Sequence, residues 1–291
     1  MGRNKSVIKT VKALTLGAMV VLSSALGASA QDAKRAIEKV AGDVYRFQNN
    51  FHYAIFVVTA DGIVVTDPIN ADAVAWLKAE LAKRFNKPVT HMVLSHHHGD
   101  HASGGEAWGD GLTVIAHENA KRHIANGKVK TALPGVTFAD EMKFSTGGKT
   151  FELTYLGEGH SDNLIAMVVR PENVAFVVDV VSPKRVPYRD FPGTDIDKLI
   201  AQIKIVEGLD FDILAPGHSV IGTKQDATDT RAYIEDLKTA VTSELKAGRT
   251  VDQAAASVTM DAYKSWGARD NWLELNVRGM ARWLKASGQV Q

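Results

Sequence analysis

The stretch Ser95-His96-His97-His98-Gly99-Asp100-His101 is dense in side chains that bind cations, and His96, His98, Asp100 and His101 fall in the pattern HxHxDH. It follows an apolar run, Val89 to Leu94, that reads as a strand. An extended chain sends alternate side chains to one side, so His96 and His98 can reach one point together, with His97 pointing away. A tight turn at Gly99 then lets Asp100 and His101 face a second point nearby. Two cation positions a few ångströms apart are what hydrolytic two-metal sites require.

Three later segments place a ligand-type residue directly after a strand-like run. Phe151 to Leu156 leads to Gly157-Glu158-Gly159-His160-Ser161-Asp162-Asn163, Val174 to Val178 leads to Asp179, and Ile213 to Ala215 leads to Pro216-Gly217-His218. Ligands at neighbouring strand ends converge on one edge of a sheet. Each of these residues alone has an ordinary explanation, such as a turn histidine or a capping aspartate; their order and shared context point to metal. The chain has no cysteine. Any metal must therefore sit on His, Asp and Glu, which suits zinc, iron or manganese.

The elements that must position these residues follow from hydrophobic period and turn signals. Residues 31–43 read as a lead-in segment. Strands are expected at Val44 to Phe47, Ala54 to Thr59 and Ile63 to Val65, then a helix over Ala71 to Phe85 with Val74, Leu77, Leu81 and Phe85 on one face. The strand Val89 to Leu94 follows, then Val114 to Ala116 and a helix over Glu118 to Ala125. Residues 126–149 are rich in turn formers and read as a loop with one strand in it. Three strands at Phe151 to Leu156, Leu164 to Val169 and Val174 to Val178 precede an amphipathic helix over Asp195 to Glu207 and a last strand, Phe211 to Ala215. Helices over residues 226–246 and 271–286 are expected to cover a sheet face. This rhythm of strands then helix, occurring twice, suits two sheets packed face to face with helices outside.

The N-terminus reads as a targeting segment: Arg3, Lys5, Lys9 and Lys12, the apolar run Ala13 to Leu26, and the small-x-small site Ala28-Ser29-Ala30. The apolar run is short of the roughly 20 residues that span a bilayer, so the expectation is a cleaved secretory signal over residues 1–30, a single domain over residues 31–291, and a periplasmic or secreted location. Residues 1–30 hold four basic and no acidic side chains, which leaves 30 Lys+Arg against 33 Asp+Glu, a net charge of −3 with histidines neutral. A mildly acidic chain without a basic tract is a poor partner for nucleic acid or, after signal cleavage, for a membrane. A small molecule is the expected partner.

On the HxHxDH motif, His160 in GHSDN, Asp179 after an apolar strand and His218 in PGH, the sequence resembles the metallo-β-lactamase superfamily from about residue 44 to 220. The resemblance implies an α/β fold of the four-layer αββα sandwich type. It implies that His96, His98 and His160 hold one zinc, that Asp100, His101 and His218 hold a second, and that Asp179 bridges them. It further implies a metal-held hydroxide that attacks a carbonyl, with Asp100 the catalytic group that orients the nucleophile and takes its proton. Two departures matter. The best-known β-lactamases use a cysteine near the position of Asp179, and the cysteine-free subclass generally lacks the bridging aspartate. Asp179 instead matches glyoxalase II, lactonases and related hydrolases, yet the separate helical substrate domain of glyoxalase II is not evident. β-Lactams or lactone-like substrates are therefore expected first and thioesters second. The alternatives are an iron-dependent oxygenase of sulfur compounds on the same fold, and a non-enzymatic periplasmic metal-binding accessory protein.

Substrate selectivity is expected from loops around the site. Gln48 to Tyr53 carries Phe51, His52 and Tyr53, which either flank the metals or pack at a turn. Val181 to Gly193 carries Lys184, Arg185, Tyr188 and Arg189, a solvated basic loop or one that binds a carboxylate. Trp108 reads as core, and His52, His91, His97, His117 and His123 lie outside the ligand set.

Overall fold

The computed structural model describes residues 1, 2 and 33–291. All but the first two residues of the expected leader lie outside the described residues. Strands β1 (Arg35–Ala41), β2 (Val44–Asn49), β3 (His52–Val58) and β4 (Ile63–Thr66) form an antiparallel meander. Helix α1 (Ala71–Phe85) then carries the chain to β5 (Val89–Val93), which pairs parallel to β4. Next come the short helix α2 (Gly99–Ala102), strand β6 (Thr113–His117), helix α3 (Glu118–Ala125) and strand β7 (Val136–Phe138), whose strands continue the parallel pairing. The seven strands lie in chain order in one sheet.

The second sheet begins with an antiparallel meander of β8 (Glu141–Thr146), β9 (Lys149–Tyr155), β10 (Ile165–Arg170) and β11 (Val174–Val177). Helix α4 (Ile196–Gly208) crosses over to β12 (Ile213–Pro216), parallel to β11, and β13 (Gly222–Thr223) closes the edge. Three helices end the chain: α5 (Gln225–Lys246), α6 (Val251–Ser257) and α7 (Arg269–Ala286). Ala33–Gln291 form one compact unit.

Alternation along the strands builds the layers. Ile55, Val57, Val64, Val93 and Ile115 of the first sheet join Phe151, Leu153, Met167 and Phe176 of the second in one core. Their neighbours Ala54, Phe56, Ile63, Val65, Met92 and Val114 point the other way, onto Val74, Leu77 and Leu81 of α1 and Ala120 and Ile124 of α3. Side chains of period two must face opposite sides, so a strand apolar at every position is buried on both. The far face of the second sheet is covered by Ile203 of α4, Leu237 of α5 and Met280 of α7. This is the αββα sandwich. Trp108 is buried in the core under α1, as expected of it.

Several stretches differ from the sequence expectation, among them Val251–Ser257 and Gly222–Thr223, where α6 and β13 form outside the expected elements. The lead-in segment contains β1, and residues 126–149 contain β7 and β8 and the first residue of β9 rather than a single strand. β1, β7 and β8 lie on or reach sheet edges. Edge strands bury one face at most and carry charge on the other, so RAIEKVA gives little hydrophobic period.

Phe151 is completely buried between the sheets. Phe151→Ala is expected to cost about 3–5 kcal/mol of stability through lost burial and a cavity, read as a lowered urea midpoint with an unchanged slope.

Candidate metal centre

The polar residues gather where parallel strands end. β5 ends at Val93 and runs into His96 and His98; His98 then stands at the N-terminus of α2, whose single turn places Asp100 and His101. His160 follows β9, Asp179 follows β11 and His218 follows β12. All seven residues named from the sequence come together here.

They form two clusters that share Asp179. Its Oδ2 lies 3.3 Å from His96 Nε2 and 3.2 Å from His160 Nε2, and His160 Nε2 is 3.0 Å from His98 Nδ1. Its Oδ1 lies 3.3 Å from His101 Nε2 and 3.0 Å from His218 Nε2. Asp100 Oδ2 stands 3.3 Å from His218 Nε2 and 3.6 Å from His101 Nε2. In the cluster of His96, His98, His160 and Asp179, and in that of His101, His218 and Asp179, the donor atoms lie within 4.8 Å of one another. Asp179 has φ of +65°, a left-handed conformation that aspartate tolerates better than most residues. That turn presents its carboxylate to both sets of imidazoles.

The clusters fit divalent cations. His96 is fully buried and its Nε2 has no hydrogen-bond partner, a cost that an inward-facing donor removes only by binding something. Burial holds the His96 imidazole well below its usual pKa, and burial with the His160 charge holds His98 down to about 4. Both rings are therefore neutral, as metal ligands must be. Burial would raise both carboxyls, but the His101 and His160 charges outweigh it and hold Asp179 well below the usual range. For Asp100 the His218 hydrogen bond and the His101 charge outweigh burial and pull it down to about 2. Burial also works against protonating His218, yet its bonds to Asp100 and Asp179 raise it to about 9. Carboxylates thus favour positive charge at the second cluster, and a bound metal would replace that proton.

Side chains that the sequence reading passed over fix the ligands. Asp67, just past β4, is buried; its Oδ2 accepts from His101 Nδ1 at 2.8 Å and from Ser95 Oγ at 2.6 Å, and its Oδ1 accepts from the Ser95 amide at 2.7 Å. Ser95 Oγ, having donated to Asp67, accepts from His96 Nδ1 at 3.0 Å. Both rings thereby keep Nδ1–H engaged away from the site and turn Nε2 towards Asp179. Gln202 of α4 accepts from the His160 amide at 2.8 Å and donates to the Gly157 carbonyl at 2.8 Å. Asn163 accepts from the His97 amide at 2.9 Å and its Nδ2 lies 2.9 Å from His97 Nδ1. His97 points away from the seven, as the alternation requires, and stacks on His123 with centroids 4.2 Å apart. His123 Nε2 lies 2.8 Å from Asp162 Oδ1, and His97, His123 and Asp162 form a further group of ligand-type atoms within 4.8 Å of one another. His52 lies closer to the site than its place outside the ligand set implies, with Nε2 3.8 Å from Asp100 Oδ2 and its ring edge-on to His218.

A cavity of about 760 Å³ opens beside the clusters. His98, Asp100, His160, Asp179 and His218 line one part of it, and Phe51, Tyr188, Phe191, Leu199 and Trp272 line another.

Residues 49–218, more than half of the chain, match the family description "Metallo-beta-lactamase superfamily". The chain belongs to that superfamily. Its members are mostly hydrolases, and the fold implies divalent metal binding. Among solved structures, a metallo-β-lactamase from Pontibacter korlensis superposes with a TM-score of 0.62 at 19% identity, over 69% of this chain and 99% of that one. A metallo-β-lactamase from Hirschia baltica gives 0.60 at 18% identity, over 69% and 97%. A double mutant of the sec-alkyl sulfatase PisA1 gives 0.71 at 14% identity, over 87% of this chain and 50% of that one. At such identities these structures share the sandwich fold. No helix among the described residues is long and apolar enough to cross a membrane.

Asp67→Asn keeps the shape but sets its amide NH2 against either His101 Nδ1–H or the Ser95 amide N–H, two donors facing each other. It is expected to weaken divalent-metal affinity about 10- to 100-fold, measured by competition with a chromogenic chelator.

Proposed function

We propose that this member of the metallo-β-lactamase superfamily is a periplasmic, di-zinc hydrolase of a small substrate with an activated or cyclic carbonyl, a β-lactam or lactone first and a thioester second. One observation carries it: the two oxygens of Asp179 face two separate imidazole sets. His96, His98 and His160 would hold one ion, Asp100, His101 and His218 the other, with Asp179 shared. Zinc bound there lowers the pKa of water to about 7 and polarises a carbonyl.

The chain's own groups supply the rest. Asp100, kept ionised by His218 and His101 and half exposed to the cavity, orients a water and can take its proton. His52, whose pKa burial lowers, stands neutral beside Asp100 as a hydrogen-bond partner for water or substrate. The apolar part of the cavity lining excludes water from the reacting bond and has room for a ligand of drug size. The exported location rests on the leader-like residues 1–30.

Sulfate-ester hydrolysis is a second reading. The likeness in fold to the sec-alkyl sulfatase extends over 87% of this chain, and the cavity combines apolar walls with Arg185.

Purified zinc-loaded protein is expected to hydrolyse at least one member of a panel of chromogenic cephalosporin, lactones, thioesters and alkyl sulfates. Removing metal with a chelator should abolish that turnover and adding zinc should restore it. Iron in protein purified without added zinc, with oxygen uptake on a sulfur compound, would replace the hydrolase with the oxygenase; no turnover on the whole panel would leave a metal-binding accessory protein. Asp179→Asn should lower bound metal below one ion per chain and turnover at least 100-fold, the cost of removing a shared ligand; full metal content and activity in this variant would show that Asp179 is not a ligand.

A further inference from the structure

One residue of the cavity wall, Trp272, comes from a part of the chain outside residues 49–218. It stands on α7, and the Arg185 guanidinium lies 4.6 Å from the Trp272 ring centroid, within reach of a cation–π contact. Tyr188 packs edge-on against the same ring at 5.0 Å. Arg185 donates one Nη1 bond to the His218 carbonyl at 2.9 Å and has no carboxylate within 4.0 Å among the described residues. A guanidinium has five N–H donors, so most of this planar fork is left for something in the cavity. That geometry matches the paired oxygens of a carboxylate or sulfate.

The loop that carries Arg185 does not hold its own shape. Lys184, Arg189 and Phe191 all have positive φ, a conformation that persists in non-glycine residues only where the surroundings impose it. The C-terminal segment imposes it here. Asn276 of α7, fully buried, donates through Nδ2 to the carbonyls of Pro187, at 3.0 Å, and Arg189, and accepts from Tyr233 Oη at 2.7 Å. The Gly267 amide donates to the Lys184 carbonyl at 2.8 Å, and the Val186 amide donates to the Gly267 carbonyl at 3.1 Å. At Gly279 a Cβ would lie 2.2 Å from the Asp190 carbonyl oxygen, so α7 seats its backbone directly on the loop.

We propose that α7 is a substrate-recognition element, in which Trp272 and the Arg185 guanidinium propped on its face select an apolar molecule bearing one carboxylate or sulfate, and Asn276 is the positioning residue that keeps Arg185 there. This rests on the cavity being the substrate site, and its test measures binding without turnover, so a failed hydrolysis panel leaves it standing.

The zinc-loaded protein is titrated calorimetrically with octanoate, octyl sulfate, octan-1-ol and acetate. Both octyl anions are expected to bind at least about tenfold more tightly than octan-1-ol or acetate, one ligand per chain. The stronger of the two identifies the natural anion as carboxylate or sulfate. Arg185→Met should bring the octyl anions down to the affinity of octan-1-ol, and Trp272→Ala should weaken all three octyl compounds about tenfold. Asn276→Ala, with Tyr233→Phe as the milder variant if it does not fold, should shrink the ratio of octanoate to octan-1-ol affinity at unchanged zinc content. A merely structural role would move both affinities alike and spare the ratio. Arg185→Lys, which keeps the charge without the fork, should fall between wild type and Arg185→Met and substitutes for it if the Met variant does not fold. Wild-type octanoate affinity in Arg185→Met and Arg185→Lys would place the anion on the metals and overturn the proposal, as would octyl anions that bind no better than octan-1-ol.

Discussion

A carboxylate with two faces organises this site. Asp179 is all but buried, and its two oxygens look at different pairs of imidazoles. A charge removed from water is costly unless it is paired, and four rings crowded on one carboxylate repel one another once more than one is protonated. Positive charge between the rings and the carboxylate, a proton or a bound cation, balances the arrangement. The fold must therefore bring four loops to one point and hold them against that tension, and the left-handed backbone at Asp179 is part of the same requirement.

The holding is done by buried polar groups, each hydrogen-bonded to more than one partner. Asp67 takes three hydrogen bonds, from His101, Ser95 Oγ and the Ser95 amide, and so sets one ligand of each cluster from a single point in the first sheet. Gln202 does the corresponding work on the second sheet, pinning the loop of His160 from α4. Asn163 joins the two sides by gripping His97 beside the ligands His96 and His98. Ligands fixed from behind lose little freedom when a metal arrives, so the binding free energy is not consumed in ordering them.

The seven clustered residues were legible in the sequence because they combine rare side-chain types with a repeated context, a strand end followed by a turn. Asp67 stands in that same context, after Ile63 to Thr66, and was within reach of the same rule; a single aspartate before proline simply reads as a turn. Ser95, Asn163 and Gln202 were not legible. Their partners lie one to 66 residues away, and nothing in a serine or an amide marks it as buried. The double-sided strands β3, β4, β10 and β11 declared themselves through continuous apolar runs, whereas the edge strands β1, β7 and β8 bury too little to leave a period. The C-terminal helices were legible as covers for a sheet face, but not as part of the cavity, because Trp272 reads like any core aromatic until the loop of Arg185 is seen lying against it.

Chemistry and selectivity consequently rest on different parts of the chain. The metal ligands sit on strand ends locked by the sandwich core, where a change in volume is felt at once. The far wall of the cavity sits on a loop whose shape is dictated by α7. Substitutions in α7 act on the wall through this loop, which reaches the seven where Arg185 donates to the His218 carbonyl. A fold arranged this way lets one cation-binding floor serve different molecules. On the proposed reading, likeness in the floor alone leaves the substrate open, and Arg185, Trp272 and the residues that hold them set its identity.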